Sequence, residues 1–169
     1  MLGGMTALGR NDPDPRWVDA ILYWRWTWLA ARIALTGAFI LGGLTKLLDF
    51  SGAVAEQEGL GLHPGWLWAS LAIAIELIGP VLIISGRLVW LGAGALGVLT
   101  AIATVTANNF WALEGNARFV AANTFFEHIS IIAGFIMAAL IAERAEREAR
   151  RRDSALAAPS HNIEPGVKA

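Results

Sequence analysis

The chain has 169 residues, 56% of them hydrophobic and 16% charged, with a formal net charge of −1 and no cysteine. Soluble domains carry about 25% charged residues, so the shortfall and the long apolar runs point to a membrane protein of one domain. A charge near zero gives no field for nucleic acid, and the lack of cysteine removes disulfides, iron–sulfur clusters and thiolate zinc sites.

The amino-terminal segment, residues 1–26, carries Arg10, Asp12, Asp14, Arg16, Asp19 and Arg25 before any long apolar run. The first hydrophobic stretch has full spanning length and lacks a small-residue cleavage site, so it reads as a span and not as a cleaved signal. Within residues 13–28, PDPRWVDAILYWRWTW, the side chains Trp17, Ile21, Trp24 and Trp28 recur at helical spacing. This predicts an interfacial helix leading into the first span, with Trp17, Trp24 and Trp28 as interface anchors or a partner surface.

Four membrane-spanning helices are predicted, at about residues 27–48, 66–86, 88–108 and 120–142. Each is close to the ~20 residues that cross a bilayer, and a helix satisfies its own backbone there. Residues 49–65 read as the longest loop, Gly86–Arg87 as a tight turn and 109–119 as a medium loop. Residues 143–169 read as a charged helix end, ERAEREARRRD, followed by a disordered tail. Trp66, Trp68, Trp90 and Trp111 mark other span ends.

Arginine placement predicts the orientation. Arg10, Arg16, Arg25, Arg87, Arg144, Arg147, Arg150, Arg151 and Arg152 fall on one side of a four-span chain. The opposite loops hold Asp49, Glu56, Glu58, Glu114 and the single arginine Arg118. Both termini are then expected in the cytoplasm of a bacterial cell, with the bundle in its inner membrane.

The second span, WLWASLAIAIELIGPVLIISG, has a carboxylate at its centre. An ionisable group at that depth costs at least ~2.5 kcal/mol and usually faces the bundle or a wet cavity. Ala69, Ala72, Glu76, Gly79 and Ile83 share one helical face, mostly small, which predicts that Glu76 points at neighbouring helices. In the third span Gly94, Gly97, Ala101, Thr104 and Asn108 share a face, and in the fourth Asn123, Glu127, Ser130, Gly134 and Ala138 do. In the first span Ala34, Ala38, Gly42 and Lys46 follow at four-residue steps, and Arg32 and Lys46 lie on one side at opposite ends.

At ~1.5 Å rise per residue, Glu127 and His128 lie ~10–12 Å below Lys46, and Glu76 ~15 Å below it. The expectation is one buried polar cluster of Lys46, Glu76, Asn108, Asn123, Glu127 and His128. Arg32 lies deeper and extends toward Glu76 or snorkels to the headgroups. The cluster is a ligand site or an ion-pair lock. No metal site is expected, because the adjacent residues Glu127 and His128 do not share a helical face.

The stretches RIALTGAFILGGLTKLLDF from Arg32, AIELIGPVLIISGR around Glu76, and FFEHISIIAGFIMAAL at 125–140 resemble the DoxX family of small four-helix membrane proteins. The resemblance covers roughly residues 30–142. It implies the four-helix bundle and makes Arg32, Lys46 and Glu76 the positions carried over. Glu127 and His128 stand where the family often has lysine and asparagine. The resemblance implies subunits of thiosulfate:quinone oxidoreductases, or membrane partners of redox and stress enzymes.

Three functions remain open at this point. The first is an accessory subunit of a membrane redox or energy-transducing complex, docked to larger membrane proteins. The second is a quinone- or small-molecule-binding subunit of an oxidoreductase, with quinone or lipid as the bound molecule and electrons supplied by a partner. The third is a small proton-coupled transporter acting as an oligomer, for which the chain shows no inverted repeat.

Overall fold

The computed structural model describes residues 15–22 and 24–157. The predicted features at residues 1–14, including Arg10, and in the tail from residue 158 lie outside them. Among the described residues the chain is helical throughout, with no strand. The helices are α1 Arg16–Leu22, α2 Arg25–Leu48, α3 Phe50–Gly59, α4 Gly65–Ser85, α5 Val89–Ala107 and α6 Gly115–Ala157. A 3-10 turn, Phe110–Ala112, joins the last two. Four of these helices, α2, α4, α5 and α6, are long and apolar enough to cross a membrane.

α4 is the centre of the bundle. It packs against α2, α3 and α5, while α6 packs mainly on α5 and touches α2 only lightly. Small residues set the spacing. A Cβ on Gly43 would stand 2.9 Å from Leu77 Cδ2, and one on Gly92 would stand 2.7 Å from the Gly79 carbonyl oxygen. Glycine therefore lets α2 and α5 approach α4 at van der Waals distance, which is how membrane helices gain packing energy without a hydrophobic drive. Ile83, Val89, Ala93, Leu96 and Phe135 form the core at one end, and Phe39 closes it with its ring 5.4 Å from Phe135.

Three elements differ from the sequence expectation. The supposed loop 49–65 contains α3, which Asp49 caps by accepting a 2.9 Å hydrogen bond from the Gly52 N–H. Gly52 and Ser51 hold the Asp49 carboxyl below the usual carboxylate range. α3 is only ten residues long, and its low hydrophobic content hid it from a search for spans. The interfacial helix is not continuous through residue 28. α1 ends at Leu22, Trp24 is extended (φ −67°, ψ 124°) at the start of α2, and the Thr27 hydroxyl donates to the Ile21 carbonyl at 2.6 Å. Trp17, Trp24 and Trp28 are all exposed, but the corner at Trp24 breaks their common helical face. The last helix starts at Gly115, ahead of the expected residue 120, while the charged stretch after residue 142 continues it as the expected helix end, to Ala157.

Candidate functional site

The second span behaves as its pattern predicts. Ala69, Ala72, Glu76, Gly79 and Ile83 are all buried, with Glu76 only 7% exposed. Its Oε1 accepts a 2.6 Å charge-assisted bond from Lys46 Nζ. The two side chains meet because α4 begins beyond the end of α2. Its first turn packs on α3, where a Cβ at Gly65 would meet the Glu58 side chain and the Val54 carbonyl. That offset takes up the depth difference expected between Lys46 and Glu76.

The other carboxylate oxygen, Glu76 Oε2, is buried and has no hydrogen-bond partner. A buried oxygen of this kind ordinarily costs ~1–3 kcal/mol, more when charged. Gly42 lies beside it, and a Cβ there would stand 3.4 Å from Oε2, in van der Waals contact. Pro80 adds a second local defect, because it has no N–H to give to the carbonyl of Glu76 four residues earlier.

Glu76 and Lys46 line a cavity of about 290 Å³ bounded by Ala38, Phe39 and Gly42 of α2, Leu99, Thr100 and Ala103 of α5, and His128 and Ile131 of α6. A smaller cavity of about 80 Å³ lies on the other side of the ion pair, toward Glu56, Gln57 and Leu60 of the α3 segment. Lys46 and Glu76 border both. Another cavity, of about 430 Å³ between α5 and α6, is lined by apolar residues such as Val98 and Phe135, with Trp90 at its edge and no ionisable side chain. The 290 Å³ cavity is the one that Lys46, Glu76 and His128 share, and a separate cavity of about 250 Å³ at the other end of the bundle is lined by Trp28, Arg32 and Glu146.

His128 reaches this cavity from α6. Its Nδ1 stands 2.9 Å from the Thr104 hydroxyl oxygen, and that hydroxyl donates to the Thr100 carbonyl at 2.6 Å. The fourth span therefore turns a different face inward from the one expected. His128, Ile131 and Phe135 face the bundle, while Asn123, Glu127 and Ser130 are exposed. Asn123 Nδ2 donates to Glu127 Oε1 along the outer face at 2.5 Å. The small-and-polar face was the wrong guide there, because the Phe135 ring filling the core and the His128–Thr104 bond set the rotation of α6. In α5 the buried face is Val89, Gly92, Ala93, Leu96, Thr100 and Thr104, and Gly94 and Gly97 open onto empty space.

Asn108 caps the end of α5 through its backbone and does not line the cavity. Arg32 does not turn toward Glu76. Its guanidinium lies 4.7 Å from the Trp28 ring centroid and donates to the Ile84 carbonyl at 3.4 Å, at the far end of α4. Of the predicted cluster, the structure brings together Lys46, Glu76 and His128. It leaves Arg32, Asn108, Asn123 and Glu127 outside. Thr100 and Thr104 are the site residues that sequence reading did not weigh for chemistry. The visible signal was their four-residue spacing below a histidine-bearing span. Among the described residues no group of acidic and histidine side chains could hold a metal ion.

Four apolar spans around a part-buried ion pair, with a cavity of about 290 Å³ beside it, define an integral membrane protein. Residues 27–109 match the DoxX family model, and over that stretch the chain is similar to the integral membrane proteins of this family. It is similar to the inner membrane protein YphA of Escherichia coli (strain K12), 29% identical over 112 residues that cover 66% of this chain and 80% of that protein. No solved structure matches the chain. The family match covers α2, α4 and α5 with Lys46 and Glu76 and stops before His128, which lies on the part of the site outside it.

Proposed function

We propose that the chain is a membrane subunit that binds a small amphiphile with a hydrogen-bonding head, of the quinone or lipid-headgroup class, in the cavity beside Lys46, Glu76 and His128. One observation carries this reading: Glu76 Oε2 is buried and unpartnered, and Glu76 lines a cavity of about 290 Å³. A charged oxygen left unmatched in a bundle is costly unless a ligand or water completes it. Lys46 and Glu76 belong to the family-matched region, so the ligand site is built on the shared part of the fold. Any electrons would come from a partner, since the chain has no cysteine for a cluster or a thiol couple.

The test is a titration of the full chain in nanodiscs with a short-tailed benzoquinone and its benzoquinol, read by calorimetry. At least one of them should bind saturably to the native protein. Gly42→Leu, which fills the space beside Oε2, should weaken that binding at least tenfold while the helical circular dichroism signal stays unchanged. Native protein that binds neither form defeats the reading.

The accessory-subunit reading concerns a different surface and is supported by α6. Glu127 is exposed about two turns inside the apolar stretch of that helix, and a carboxylate at such depth usually faces protein. Beyond residue 142 the helix carries Glu143, Arg144, Glu146, Arg147 and Arg150 on an exposed rod. Both features suit docking to a larger membrane partner. The likeness to an inner membrane protein and the arginine distribution support a bacterial inner-membrane location with both termini in the cytoplasm. Native mass spectrometry of the complex extracted in mild detergent tests the docking. A chain that elutes alone at every detergent concentration tells against it.

A further inference from the structure

We infer that the cavity is built to receive hydrogen-bond donors, so that it takes a head bearing hydroxyl groups, a dihydroxy-aromatic, in preference to the matching dicarbonyl. This rests on the reading of the cavity as a ligand site and adds which redox form of the head it selects.

The argument starts from one proton. The Thr104 hydroxyl oxygen stands 2.6 Å from the Thr100 carbonyl oxygen and 2.9 Å from His128 Nδ1. A carbonyl oxygen only accepts, so two oxygens that close are held together by the hydroxyl proton between them. The hydroxyl has no second proton to offer. The contact with His128 must therefore take its proton from Nδ1, and in the neutral imidazole Nε2 then carries the lone pair. No residue among those described bonds to Nε2, and the ring lines the cavity.

The neighbouring polar groups point the same way. The Thr100 hydroxyl donates to the Leu96 carbonyl at 2.7 Å, which leaves only its lone pairs for the cavity. Glu76 Oε2 in the ion pair is an acceptor with nothing to accept from. Lys46 is the one donor in the lining, and its ammonium is already engaged by Glu76 Oε1. The cavity thus holds three acceptor groups against one donor group, the Lys46 ammonium, which has protons left beyond its bond to Glu76. A dicarbonyl head can use only the spare protons of Lys46. A dihydroxy head can give one proton-bearing oxygen to Glu76 Oε2 and the other to His128 Nε2.

The experiment compares the affinities of a short-tailed benzoquinol and its benzoquinone for the full chain in nanodiscs, under anaerobic reductant for the first, at about pH 8 where free imidazole is neutral. The reduced form should bind about tenfold more tightly or better. A tenfold preference raises the potential of the bound two-electron couple by about 30 mV. Thr104→Val keeps the size of the side chain but removes the acceptor of Nδ1–H, so the proton is free to occupy Nε2. In that variant the preference should fall toward unity while the dicarbonyl still binds. As a check that does not depend on the variant folding, the ¹⁵N shifts of the His128 ring in wild-type protein should report a protonated Nδ1 and a bare Nε2. Equal affinities, tighter binding of the dicarbonyl, or the opposite tautomer overturns the inference and leaves the ligand site standing. Binding of neither form overturns both.

Discussion

A carboxylate with one oxygen spoken for and the other bare is an unusual thing to hold between membrane helices. Lys46 supplies the charge balance at 2.6 Å, but it satisfies only Oε1. Removing Glu76 leaves a largely buried ammonium without its partner, and such a truncation costs about 3–5 kcal/mol in a buried pair. Glu76→Ala should therefore lower the thermal midpoint in mild detergent by several degrees. Glu76→Gln keeps an acceptor for Lys46 and should lose less than half as much, measured in the same melts. Part of this was legible in the sequence. The lone glutamate in an apolar run, the small residues on its face and the lysine near the end of the first span led to the pair. The histidine was harder, because the face of the fourth span was judged by its small and polar residues. What decides the rotation of α6 is a long-range bond from His128 to Thr104 and the burial of Phe135, and neither is written in local periodicity.

The elements respond to different residues of the same type. Gly92 sits where α5 crosses α4, and a Cβ there would press on the Gly79 carbonyl at 2.7 Å. Backbone cannot swing aside as a side chain does, so Gly92→Ala should destabilise the bundle by about 1–3 kcal/mol. Gly94 and Gly97, on the same helix, have nothing within 4 Å of an added Cβ. Gly94→Ala should leave the melting midpoint unchanged or raise it slightly, because alanine is the better helix former. All three lie in LGAGALG, and the run alone does not say which of them touches α4. Asp49 belongs to this scale too. Its carboxyl sits below the usual carboxylate range in the folded chain, so the cap stabilises α3 above the ordinary aspartate range and is lost as pH falls through the lowered value. Asp49→Ala should speed amide exchange at Gly52 and Ala53 at neutral pH, and strong acid should abolish the difference from wild type. α3 itself was missed in the sequence because ten residues with little apolar bias resemble a loop when the search is for spans.

For the whole molecule, the four spans and their order were readable from length and hydropathy, since a bilayer imposes about twenty apolar residues on any helix that crosses it. The charged helix end was readable too, because ERAEREARRRD are good helix formers, with Glu143 and Arg147 paired at 2.7 Å, whereas the start at Gly115, ahead of the apolar run, was not. A chain ending at residue 142 should keep the melting midpoint of the bundle, because the exposed rod buries nothing in it, and should lose any partner that native mass spectrometry finds on the full chain.

The light contact between α2 and α6 has a consequence for how binding is measured. The two helices meet around Leu35, Phe39, Gly134 and Phe135, and the polar cavity lies between them a few residues further along. An apolar tail attached to a head in that cavity would lie beside this contact, among apolar spans. A ligand with such a tail partitions into the bilayer, so under the proposed reading its route to the cavity is through the lipid. Its occupancy then follows its mole fraction in the lipid, so diluting the sample with buffer should leave the bound fraction unchanged, and diluting it with empty lipid should lower it.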